Sequence, residues 1–82
     1  MEPKPLTHKQ QQAFDFIELY CLTKNYSPTM VEIAAAMGIT PGAVQKHLAA
    51  LEEKGWITRK QDVPRSIWPV TLIVMRKEPS GV

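Results

Sequence analysis

A mainly α-helical fold carrying a small β-hairpin is what the sequence predicts, from three observations. Apolar residues recur at helical spacing in three successive segments, a short glycine-containing link joins the second to the third, and the pattern then changes to β-branched and aromatic runs. At 82 residues and 9.3 kDa the chain is read as one domain, too short for two packed cores. The packed part is expected over about residues 6–75, with 76–82 as a tail.

Met1 to Leu6 read as an entry arm. Thr7 followed by Gln10 is a capping-box pattern, so a helix is expected from His8. Ala13, Phe14, Ile17, Tyr20 and Cys21 form its apolar stripe, which runs to about Lys24. Asn25-Tyr26-Ser27-Pro28 breaks the helix, because proline biases Ser27 away from helical angles. Thr29 with Glu32 is a second capping box, and it opens a short helix, Met30 to Met37. Gly38 is placed to take positive φ at its end. After the link Gly38-Ile39-Thr40, Thr40 can cap a third helix that has Pro41 at its first position, where no N–H is needed. Ile39 and Val44 can close a hydrophobic staple across that start. Val44, His47, Leu48 and Leu51 face inward, and Gly55 ends the helix.

Trp56 to Lys60 and Arg65 to Trp68 are then expected as two strands about the turn Gln61-Asp62-Val63-Pro64. Val70 to Met75 reads as a further β-prone segment, giving a two- or three-stranded sheet. Three helices, the last two joined by a tight turn, followed by a hairpin, outline a winged helix-turn-helix. In such a domain the second helix of the pair enters the major groove with its N-terminal residues leading. With the inward stripe assigned, Thr40, Gly42, Ala43, Gln45, Lys46 and Ala49 face out. They are small or polar, as close approach to base edges requires. Gln45 can pair with adenine, and Lys46 can reach guanine or a phosphate.

Charge supports the same reading. The net charge of +2 is unevenly spread: residues 1–41 carry three cations against four anions, residues 42–82 seven against four. Arg59, Lys60 and Arg65 flank the hairpin turn, opposed there by Asp62, and are expected at phosphates. Double-stranded DNA is therefore the expected partner.

The run LTHKQQQAFDFIELY, followed by SPTMVEIAAAMGITPGAVQKHLAALEEKGWITR, resembles the N-terminal DNA-binding domain of the LexA family of SOS-response repressors. Leu6-Thr7, Gln10-Gln11, Phe14-Asp15, Ile17, Pro28-Thr29, Glu32-Ile33-Ala34, Gly38, Pro41, Ala43, His47-Leu48, Ala50-Leu51 and Lys54-Gly55 carry the resemblance, across about residues 6–69. It implies a winged-helix transcriptional repressor that binds palindromic operators as a dimer. LexA proteins continue into a self-cleaving protease domain with a Ser–Lys dyad, which the 82 residues do not contain. The reading helix also departs from the family, with Gly42 in place of the usual Asn, and Gln45 and Lys46 where acidic residues are common. Those differences fall on the residues expected to read the operator, so the standard SOS sequence does not follow from the resemblance.

Other chemistries find little support. A single cysteine, Cys21, allows no internal disulfide or cysteine-based zinc site and suits a reducing cytoplasm. His47 is expected as a packed structural residue and His8 as a solvated one. Ser27, Ser66 and Ser80 lack partners for nucleophilic catalysis, and Glu52-Glu53 reads as a helix-surface pair. Trp56 and Trp68 are expected to close the core beneath the wing rather than stack on bases. No enzyme, cofactor, metal or membrane span is expected. The rival reading is a winged-helix protein-interaction module that does not contact DNA. It calls for an acidic or apolar outer face on the third helix, which Gln45 and Lys46 do not provide. Self-association is expected through Val70–Met75, as an exposed apolar strand edge.

Overall fold

The three caps form as the local sequence dictates. In the computed structural model, which describes residues 5–60 and 62–76 and side chains through residue 73, α1 spans His8–Lys24, α2 Met30–Met37 and α3 Pro41–Glu53. The N-terminal arm before residue 5, Gln61 of the turn and the tail from residue 77 lie outside the described residues. Thr7 and Gln10 close one reciprocal capping box, and Thr29 and Glu32 close another. Thr40 Oγ1 accepts from the Ala43 N–H at 3.2 Å, with Pro41 next to it. Gly38 ends α2 at φ 70°. Gly55 follows α3 at φ 89°, and the Trp56 N–H turns back to the Leu51 carbonyl at 2.9 Å.

α1 packs across α2, α3 and the small sheet. Phe14, Ile17, Cys21, Ile33, Val44, Leu48, Leu51, Ile57, Ile67 and Leu72 are all buried in one core. Ile39 and both tryptophans pack against its edge, and Trp56 meets Phe14 edge-on at 5.2 Å between ring centroids. His47 is half-buried beside the inward stripe.

The sheet is smaller than the sequence predicts. β1, Ile57–Thr58, pairs antiparallel with β2, Trp68–Pro69, through Ile57↔Pro69 and Thr58↔Trp68. Between them the loop is stitched by Ser66 instead of by a ladder. Its hydroxyl accepts from the Lys60 N–H at 2.9 Å and lies 2.8 Å from the Val63 carbonyl, as donor. Asp62 and Arg65 take positive φ, which bends the loop away from strand geometry.

The expected third strand is not formed. Val70–Arg76 is a helix, α4. The reason is the absence of a pairing partner among the described residues. The Val70 N–H reaches the Trp56 carbonyl at 2.9 Å, and before Trp56 the chain is already the end of α3. With no strand left to extend the ladder, a helix satisfies the backbone internally and carries Leu72 into the core, 4% exposed. The strand-edge route to self-association falls with the strand. Thr71 donates to Glu18 Oε2 at 2.8 Å, fastening α4 to α1.

Candidate nucleic-acid interface

The two faces of α3 divide cleanly. Val44, Leu48 and Leu51 are fully buried. Thr40, Gly42, Gln45, Lys46 and Ala49 are exposed, and Ala43 is half-buried. From Thr40 to Leu51 the helix carries no carboxylate, and its first acid is Glu52. At Gly42 an added Cβ would meet only Thr40 Oγ1, at 3.9 Å, so the surface there is open for close approach.

The wing stands beside this face. A cleft of about 490 Å³ separates the start of α2 and Gln45 from the loop Arg59–Ile67. Three cations line it, in different states. Lys60 is exposed. The Arg59 side chain is only 14% exposed. Its Nε donates to Glu52 Oε1 at 3.1 Å, and Nη1 donates to Gln45 Oε1 at 3.4 Å. Arg65 is exposed but held. It donates to both Glu32 carboxylate oxygens, at 3.2 and 3.0 Å, to the Ser27 carbonyl at 2.9 Å and to the Tyr20 hydroxyl at 3.4 Å, and it lies 4.9 Å from the Tyr26 ring centroid.

The sequence pattern did not reveal these partners. Glu52 lies two helical turns beyond Gln45 on the same face, which a helical repeat shows. That Arg59 would bridge the two depends on how the wing leaves α3. Nor does the sequence show the structural role of Ser27: it is fully buried, and its hydroxyl accepts from the Ile67 N–H at 2.9 Å. Among the described residues no cluster of His, Cys, Asp or Glu is placed to hold a metal ion, and no helix is long and apolar enough to cross a membrane.

A three-helix unit whose third helix offers a carboxylate-free outer face beside a cationic two-stranded wing is a winged helix-turn-helix of the DNA-binding class. Residues 3–66 match the LexA DNA binding domain family, and the chain belongs to it. The LexA repressor of Thermosipho melanesiensis is 45% identical over 64 residues, which is 78% of this chain and 32% of that protein. That of Thermotoga neapolitana is likewise 45% identical over 64 residues, with the same shares covered. The LexA repressor of Bacillus mycoides is 44% identical over 63 residues, 76% of this chain and 31% of that protein. The chain thus spans about a third of the length of the relatives it matches.

Proposed function

We propose that this chain binds double-stranded DNA in a sequence-specific manner, as the operator-reading domain of a LexA-type transcriptional repressor. The observation that carries this is the exposed face of α3 in a member of that family, polar and free of carboxylates from Thr40 to Leu51. B-DNA's major groove, about 12 Å wide, accepts one helix. Gln45 and Lys46 then reach base edges. Thr40, Gly42, Ala43 and Ala49 let the helix approach closely. Lys60 reaches phosphate from the wing. Arg59 and Arg65, engaged with Glu52 and Glu32, act first on the wing's position. Repression is by occupancy: a protein on the operator blocks polymerase. One module reads a short half-site, so a palindromic operator takes two copies. The relatives are LexA repressors by name, and the SOS response is the regulon this reading points to. The interior of a bacterial cell is the site of action that goes with it.

Selection from a random duplex pool, followed by fluorescence anisotropy on the selected sequence at several salt concentrations, tests the proposal. A defined motif is expected. Log affinity should fall with log salt at about −0.9 per phosphate contact. No enriched motif together with a flat salt response would favour the protein-interaction reading instead.

A further inference from the structure

Arg59 touches Gln45, on the outer face of the reading helix, and it does so from a fixed base. Its guanidinium bridges two acceptors on one face of α3: Glu52 Oε1 at 3.1 Å and Gln45 Oε1 at 3.4 Å. The side chain is 14% exposed, against 45% for Glu52, so the cation lies mostly covered between wing and helix. A planar guanidinium suits this bridging, because its donors diverge from one rigid plane. Gln45 itself stays exposed.

This arrangement bears on what Gln45 can read. A glutamine that pairs bidentately with adenine turns both its oxygen and its NH₂ to the base, accepting from N6 and donating to N7. Here the oxygen accepts from Arg59 at 3.4 Å, which leaves the NH₂ group as the part of the amide available to a base. A donor reads an acceptor edge, and guanine presents two acceptors in the major groove, O6 and N7. We propose that Arg59 is a positioning residue, which with Glu52 as its anchor orients the Gln45 amide to donate to guanine rather than to pair with adenine. The inference rests on the DNA-reading function proposed above, and it replaces the simpler expectation that Arg59 is a phosphate contact.

The test is a base-substitution panel around the selected motif. It is measured by anisotropy for the wild-type chain and for Gln45→Ala, Arg59→Lys, Arg59→Ala and Glu52→Ala, each checked for folding by thermal melting. Gln45→Ala identifies the base pair read by Gln45, as the position whose preference it abolishes. At that position the wild-type chain is expected to prefer guanine by about tenfold, within the range of a good base contact. Arg59→Lys keeps the charge but loses the planar fork. It is expected to shift that one preference toward adenine, with an unchanged salt slope. Glu52→Ala, which lies off the leading part of the helix, should shift it the same way. Arg59→Ala combined with Gln45→Ala should cost no more discrimination than Gln45→Ala alone.

A phosphate contact gives the opposite pattern. Arg59→Ala would weaken every sequence alike and lower the salt slope by about 0.9, and Arg59→Lys would restore both. That result overturns the inference, as does a wild-type preference for adenine at the Gln45 position. If the wild-type chain enriches no motif at all, the DNA-reading function fails, and this inference with it.

Discussion

The Arg65 guanidinium grips the Glu32 carboxylate at both oxygens, and Glu32 is also the residue that closes the cap of α2. Its Oε1 accepts from the Thr29 N–H at 2.9 Å as well as from Arg65 Nη1 at 3.2 Å. One carboxylate therefore joins the start of the helix-turn-helix to the tip of the wing. The wing is a nine-residue loop on a two-pair sheet, so such outside ties decide where it stands.

The Glu32 carboxyl is held down to about 2, from an ordinary value of 4.5, by the Thr29 N–H first and then by Arg65. Because the folded value lies below the unfolded one, protons bind the unfolded chain more readily in that range. The stabilisation is whole above pH 4.5 and disappears as pH falls toward about 2. Glu32→Gln keeps a capping acceptor but loses the charge. Melting temperatures of both proteins across this range should converge as the pH falls. Parallel curves would show that the carboxylate is not coupled to folding.

Ser27→Ala should destabilise the protein by about 1–3 kcal/mol, the cost of leaving a buried donor without its acceptor. The donor is the Ile67 N–H, in a residue only 5% exposed, and Ser27 Oγ accepts from it at 2.9 Å. Urea unfolding read by tryptophan fluorescence measures the change. Ser27→Thr keeps the hydroxyl, but its added methyl enters a fully buried site, so alanine is the cleaner variant.

Lys60→Ala should weaken binding to all duplexes alike. The salt slope should fall by about 0.9, and base preferences should not change, since phosphate carries no sequence information. Salt-titrated anisotropy on the selected motif and on an unrelated duplex gives both quantities. A change confined to the selected motif would place Lys60 at a base edge instead.

Leu72→Ala should cost about 2–3 kcal/mol, at the low end for a buried leucine because a short, seven-residue helix can settle into the gap. Truncation after Pro69 should cost more, as it removes the whole of α4. Denaturant unfolding measures both. Sedimentation of the full chain and the truncated one then shows whether residues 70–76 contribute to self-association. With Leu72 turned into the core, no difference in oligomeric state is expected.

The sequence by itself determined α1, α2 and α3, their caps and their inward faces. Thr7 with Gln10, Thr29 with Glu32, and Thr40 with Ala43 all act over three residues, so each signal lies inside the window that decides it. The alternation of Val44, Leu48 and Leu51 with Gln45, Lys46 and Ala49 likewise assigns the outer face of α3 from helical period alone. Tertiary structure decided the fate of Val70–Arg76. Its run of valine, threonine and isoleucine favours a strand by no more than about 1 kcal/mol per residue on propensity scales. The lack of any strand beyond Trp56 to pair with among the described residues, together with the burial of Leu72, outweighs that preference. Tertiary structure also decided the roles of the arginines. Arg59 meets Gln45 14 positions back, and Arg65 meets Glu32 33 positions back. A cation's charge is written in the sequence, but the partner that holds it is set by how the wing folds back over the helices, and nothing local specifies that.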